Sequence, residues 1–424
     1  MEFISGILFF IVSVIAFYSF GRKLVQIKRN IHLGRPIEIN DQPLKRWKNV
    51  FLLALGQKKM FRNIPVAFLH LIVYVGFIII NIELLEILID GLIGSHRFFE
   101  PFLGGFYPFL INSFEILAAL VLIACVVFLS RRNILRLKRF ISNDLAGWPK
   151  TDANLILIIE IVLMCLFLIM NATDPSANFI VSSRLKPFFI NYTEHQLHLI
   201  EQTAWWLHIL GIYAFMNYLP YSKHLHIVLA FPNAYYASLE PKGKMHNMES
   251  VQNEVLYAMQ PELARTNAAA PEKFGAKDVM DLSWKNLMDA YSCTECGRCS
   301  AACPANSTGK LLSPRKIMMD TRDRLEAVGE NINQNGQFID DGKSLLHDYI
   351  TTEELRACTT CNACVEECPV SISPLDIILE LRRSLIMEES NAPSEWNGMF
   401  SNIENNFAPW KFAPDDRDAW TKQA

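Results

Sequence analysis

The stretch YSCTECGRCSAACP at 291–304 and its repeat ACTTCNACVEECP at 357–369 decide how this chain is read. Each contains Cys-x2-Cys-x2-Cys-x3-Cys-Pro: Cys293, Cys296, Cys299 and Cys303 before Pro304, then Cys358, Cys361, Cys364 and Cys368 before Pro369. Three thiolates at this spacing can wrap one face of a [4Fe–4S] cube. Structural zinc takes two separated Cys pairs and has no use for the third thiolate. The eight make up most of the 10 cysteines, and their spacing argues for metal in a reducing compartment rather than for disulfides. The other two, Cys125 and Cys165, fall in apolar stretches where a small buried thiol is ordinary.

Both runs match the two-cluster ferredoxin pattern, in which the fourth cysteine of each run ligates the other cluster. That match implies a crossed set: Cys293, Cys296, Cys299 and Cys368 on one cluster, and Cys358, Cys361, Cys364 and Cys303 on the other. A short ferredoxin packs its motifs close together in a β-rich fold, whereas here residues of helical pattern separate Cys303 from Cys358. Over about 280–390 the sequence resembles the helical ferredoxin subunits of heterodisulfide-reductase-type and anaerobic glycerol-phosphate-dehydrogenase-type enzymes.

Upstream, the 51% hydrophobic share of the chain is concentrated in the first 230 residues, which with 20% charged residues excludes a disordered or fibrous chain. A net charge of −3 gives no support for nucleic-acid binding. Five runs, Phe3–Phe20, Ile64–Ile89, Pro108–Leu129, Asn154–Met170 and Leu197–Leu219, approach the length that crosses a hydrocarbon core. The first lacks the basic flank and small-residue site of a cleaved signal. Lys and Arg crowd the segments from Arg22 to Arg62 and from Arg131 to Lys150, while the other two loops carry only Arg97, and Arg184 with Lys186. The basic loops are expected on the cytoplasmic side of the inner membrane, with the N-terminus outside and everything after Leu219 inside. The expected fold is all-α: a five-helix transmembrane bundle over 1–237, a connector over 238–280 that contains a polar stretch ending in Asn267-Ala268-Ala269-Ala270-Pro271, an α-helical dicluster ferredoxin domain over 281–390, and an extended tail over 391–424.

An ionisable side chain within a span is costly unless it is used, and His70 and His208 lie in the second and fifth runs, with His224 and His226 just beyond the fifth. Five spans with such histidines resemble the gamma subunit of respiratory nitrate reductase and related cytochrome b subunits, and the resemblance implies haem b and a membrane quinone as substrate. Those subunits carry two histidines on the second helix; here Met60 stands where the earlier one falls, so one haem is expected and two are accommodated. His70, His208, His226 and His224 are the candidate ligands, the last two reading equally as interfacial residues beside Lys223. On an unbroken helix, His208 and His226 would face the same way, although Pro220 between them can kink it. Glu83, Glu86, Glu115 and His198 are candidates for a quinone site near the outer face, and Glu160 is a further carboxylate at depth.

No Cys-Cys pair of the kind used in disulfide-reducing motifs occurs, nor a P-loop or a GxGxxG, so substrate chemistry is expected on another subunit. The tail carries Asn402 to Trp410 and Trp420, apolar anchors expected to dock a cytoplasmic cysteine-rich iron–sulfur subunit. The reading is thus an electron-transfer subunit of a membrane quinone oxidoreductase, the alternative being a membrane-anchored redox sensor or assembly scaffold.

Overall fold

The computed structural model describes residues 2–175, 179–241, 244–263, 273–411, 413–416 and 418–422. The middle of the connector, including Asn267 to Pro271, lies outside them. The described residues are helical, and their only β features are two isolated bridges, Arg35 with Ser283 and Leu346 with Ile350.

The five apolar runs become helices α1 (Glu2–Ile31), α2 (Ile64–Ile93), α3 (Tyr107–Asn133), α4 (Trp148–Thr173) and α5 (Glu194–Tyr218). Proline opens α2, α3 and α4, where its fixed φ suits the first turn and its missing N–H costs nothing. Thr193 and Gln196 cap α5 reciprocally. The first four are long and apolar enough to cross a membrane. The fifth is 25 residues long but begins with the polar run Glu194-His195-Gln196 and carries Glu201, Gln202 and His208.

Each helix packs on the next, and α5 closes back onto α1, so the five form a ring around an interior. Tyr107, Ile111, Phe114 and Val121 of α3 meet Leu163 and Phe167 of α4 on one side, and Phe9, Ile87, Ile209 and Tyr213 join α1, α2 and α5 on the other. The chain leaves α5 at Pro220, makes two short turns, and starts α6 (His226–Tyr235). His208 and His226 therefore do not share one helix: the proline breaks the ladder and turns the later histidine back toward the bundle.

The cluster domain is built from α7 (Trp284–Tyr291), α8 (Arg298–Ala302), α9 (Pro314–Asn335), α10 (Thr352–Ala357), α11 (Ala363–Glu367) and α12 (Pro374–Arg383). Each cysteine run repeats one plan, a helix, a loop and a short helix, and the short helices α8 and α11 pack on each other. Ala276 and Val279, read from sequence as connector, are fully buried in this core, where Arg324 pairs with Asp278 at 2.7 Å. The tail departs from the extended arm expected: residues Ser394–Asn406 form α13. Its apolar side chains Trp396, Phe400 and Ile403 recur at spacings of four and three, the period of one helix face, and Phe407 follows at the residue just past its end.

The two halves are joined by more than a tether. Ile27 and Ile31, at the end of α1, are buried in the cluster-domain core, and Gly329 of α9 lets Asn30 approach so closely that a Cβ there would sit 2.3 Å from its amide nitrogen. The basic segments meet acidic partners: Lys23 of α1 with Glu326 at 2.9 Å, and Arg62 in the loop before α2 with both Glu366 and Glu367. The most enclosed pair is Arg315 with Asp144, bidentate at 2.7 and 2.9 Å, its guanidinium also donating to the Arg139 carbonyl at 2.8 Å.

Truncating one partner of a buried pair strands the other charge, so Arg315→Ala should lower stability by about 3–5 kcal/mol. Burial alone would raise the Asp144 carboxyl, but its bonds from Arg315, Ser142 and Ser313 hold it below the ordinary value of 3.8. The contribution of the pair should thus be complete above pH of about 4 and fade as acidification passes the lowered value. Thermal unfolding of wild type and variant in detergent checks both, and an unchanged midpoint at neutral pH contradicts the assignment.

Candidate functional site

None of the ten cysteines is in a disulfide, and the eight in the motifs collect into two groups. In the first, burial foremost and then the thiols of Cys293, Cys296, Cys368 and Cys364 push Cys299 well above its ordinary range. Burial, with Glu295 and Cys368 among the further causes, takes Cys293 to about 12. Cys368 is raised to about 11 by burial and then by Cys296. In the second group, burial and the neighbouring Cys358, Cys303 and Cys361 raise Cys364 to about 12. The fourth cysteine of each run thus lies among the first three of the other. Thiols that penalise one another this way become thiolates together only when a cation takes up their charge, which is the chemistry of a metal cluster.

The backbone is shaped for these loops. Glu295 and Gly297 in the first run, and Thr360 and Asn362 in the second, all have positive φ, at 52°, 73°, 55° and 61°. A side chain at Gly297 would also run into the Arg315 guanidinium, 2.5 Å from its Cβ position. The Thr360 N–H donates to Cys358 Sγ and the Ile372 N–H to Cys368 Sγ, each at 3.4 Å. Cys361 is exposed, whereas Cys293 is buried, and Glu295 beside it carries the contact to the bundle side. Buried Glu295 pairs with Lys223 and with Arg322, the latter at 2.8 Å, and Lys223 also reaches Asp152 of α4 at 3.7 Å. Burial alone would raise the Glu295 carboxyl, and these two cations hold it low. Lys59, in the loop before α2, donates to the Cys368 carbonyl at 3.0 Å and accepts from Arg298 at 3.0 Å through its own carbonyl.

A cavity of about 400 Å3 runs from the bundle interior to the first cysteine group. His70, Tyr74 and Glu160 line it within the bundle, His224 and His226 at the turn after α5, and Thr294, Cys296, Arg298 and Pro369 at the cluster end. Arg131, Arg132 and Arg139 add positive charge to its wall. His70 Nδ1 lies 3.0 Å from Gln57 Oε1, and His226 Nδ1 lies 3.0 Å from the Lys223 carbonyl. The rings of His224 and His226 meet edge to face at 5.5 Å. Imidazoles anchored through Nδ1 keep Nε2 for a ligand, the usual second-layer arrangement of metal-binding histidines. Met60 lines the same cavity.

His208 stands elsewhere. Its Nδ1 lies 3.0 Å from the Leu163 carbonyl, and it lines a second cavity of about 90 Å3 together with Glu83 and Glu160. Of the carboxylates proposed from sequence for the quinone site, Glu83 lines one of these two cavities and Glu86 and Glu115 line neither. Glu86 accepts from the Phe99 N–H and the Tyr107 hydroxyl, both at 2.8 Å. Glu115 accepts from Asn171 at 3.1 Å and from the N–H groups of Val181 and Ser182 at 2.8 and 3.1 Å. These two pin the loops at Phe99 and at Val181–Ser182 to the bundle. His198 is exposed, 3.6 Å from Glu201. Reasoning from sequence missed Glu295 and Lys223, whose only local signal is a charge inside a Cys-x2-Cys loop and a lysine beside two histidines.

The family model described as a 4Fe-4S dicluster domain matches residues 292–372, so the C-terminal half carries such a domain. The chain is 26% identical over 449 residues to a protein of Bacillus subtilis named a probable iron-sulfur-binding oxidoreductase, FadF, with 99% of this chain and 61% of that one covered. It is 26% identical over 427 residues to the EtfAB:quinone oxidoreductase of Syntrophomonas wolfei, covering 91% of this chain and 55% of the relative. Over 114 residues it is 37% identical to one subunit of the ferredoxin/F(420)H(2)-dependent CoB-CoM heterodisulfide reductase of Methanosarcina acetivorans, covering 27% of this chain and 56% of that relative. The chain spans about three-fifths of the length of the first two relatives. No solved structure matches. The chain is similar to iron–sulfur oxidoreductases along nearly its whole length and carries an electron-transfer domain of the 4Fe–4S dicluster type.

Proposed function

We propose that the chain is the electron-transfer subunit of a membrane quinone oxidoreductase, and the observation that carries this reading is the single cavity that has His70 and His226 at one end and Cys296 at the other. A haem b in the cavity and two [4Fe–4S] clusters would supply one-electron carriers between the bundle and the opposite face of the cluster domain. Cys293, Cys296, Cys299 and Cys368 hold the cluster nearer the bundle, and Cys358, Cys361, Cys364 and Cys303 the outer one. His70 and His226 offer the axial nitrogens for the haem, with His224 as the alternative, and the arginines of the wall suit its acidic substituents. His208, one of the ligands expected from sequence, is placed outside this set. The name of the S. wolfei relative supports quinone as the membrane-side substrate.

We read α1 to α5 as five spans, with the N-terminus outside and the cluster domain in the cytoplasm. The basic segments that set this orientation are also the segments that pair with the cluster domain. At the far side, exposed Cys361 marks where electrons leave or enter. Trp396 of α13 lies over Arg356, 6.0 Å away and two residues before Cys358. The exposed apolar residues Phe400, Ile403, Phe407 and Trp410 extend from there as a dock for a cysteine-rich redox partner, which meets the substrate.

Anaerobically purified protein should contain about eight irons in two [4Fe–4S] clusters. Cys303→Ser should damage the outer cluster and spare the inner one in EPR spectra of the reduced protein; loss of the inner cluster alone would refute the crossed ligation. His70→Ala should abolish a b-type absorption band while both cluster signals persist. A band unaltered in His70→Ala would move the haem away from the large cavity.

A further inference from the structure

Glu83 is the anomaly of the bundle. It is only 5% exposed, its Oε2 has no hydrogen-bond partner, and it lines the smaller cavity, where nothing in the cluster or haem assignments uses it. A buried acceptor left unmade costs stability, so such a group marks a place where a ligand completes the bond. The cavity has the composition of a small-molecule site, apolar walls with a few converging polar groups. Val73, Ile80, Leu84 and Val121 form the walls, and Glu83 of α2, Glu160 of α4 and His208 of α5 are polar groups from three different helices. His208 has its Nδ1 occupied by the Leu163 carbonyl, which leaves Nε2 for a ligand. Phe77, 41% exposed on the outer surface of α2, stands at the edge.

We infer that this cavity binds the head group of the membrane quinone, with one ring oxygen held between Glu83 and His208. At about 90 Å3 the cavity is too small for a whole quinone, so the ring enters by one edge and the remainder lies against Phe77 in the lipid. The quinol hydroxyl donates its one hydrogen to Glu83, with His208 Nε2 as the alternative acceptor of that hydrogen, because the Nδ1–H of His208 is spent on the Leu163 carbonyl. Glu160 and Phe77 belong to the walls of both cavities, which sets the bound ring beside the space that ends at Cys296. The site rests on the quinone-linked reading above and names where the quinone sits.

The test uses the full chain in lipid nanodiscs with a photoactivatable azido-naphthoquinone as probe. Label should appear in peptides of α2, α4 and α5 that contain Phe77, Glu83, Glu160 and His208. Glu83→Met removes the orphaned carboxyl and should weaken binding about tenfold, the loss of one hydrogen bond, while leaving the protein no less stable. Phe77→Trp, which narrows the edge without touching a polar group, should weaken labelling as well. Label confined to other peptides, or full affinity in Glu83→Met, overturns the site. Clusters oxidised by the naphthoquinone with no label at these helices would overturn the site alone. Label in place with clusters that the naphthoquinone never oxidises would overturn the electron-transfer reading and leave the binding site standing.

Discussion

Lys223 holds the molecule's two halves in register. Its ammonium reaches Asp152 inside the bundle and Glu295 inside the first cysteine loop, and Arg322 closes the group from the cluster side. Such a buried network has a demanding geometry, because each charge taken out of water must find its partner or cost several kcal/mol. That demand serves electron transfer, which needs carriers at fixed separation. A cluster domain on a loose tether would sample many distances, whereas one locked by Lys223, Arg315 and the buried end of α1 samples few.

The same seam explains why the cavity has walls from both halves. Three histidines come from α2 and from the turn after α5, and the opposite end is made by Cys296, Arg298 and Pro369. Neither half closes it alone. In the proposed account, charge then crosses from the lipid-facing pocket at Glu83, through the large cavity, to the inner and then the exposed outer thiol group. In that account the polarity of the protein, membrane at one end and partner at the other, follows from where these groups fall.

Much of this is legible in residues. The eight cysteines announce themselves by spacing, and α1 to α5 coincide with five apolar runs to within a few residues at most ends, because length and hydropathy are local properties. What escapes depends on distant chain segments. Pro220 is visible as a kink, but that the chain turns His226 back beside His70 is a property of the packed ring. Glu83, Glu86 and Glu115 look alike in sequence; only the loops they bind, or fail to bind, separate one orphaned carboxylate from two satisfied ones. The helix α13 is the opposite case. Its stripe from Trp396 to Ile403 has helical spacing, and abundant Asn and Pro around it hide a pattern that is there to be counted.

The most direct test of a conduit is its order. With the protein fully reduced by dithionite and then mixed with a short-chain naphthoquinone, rapid-freeze EPR follows each cluster in two variants. In Cys361→Ser, which disables the outer cluster, the inner cluster should be oxidised at the wild-type rate. In Cys296→Ser, which disables the inner one, the outer cluster should remain reduced, stranded from the membrane. An outer cluster oxidised equally fast without its inner neighbour would contradict the account, because electrons would then reach the quinone by a route that bypasses the cavity.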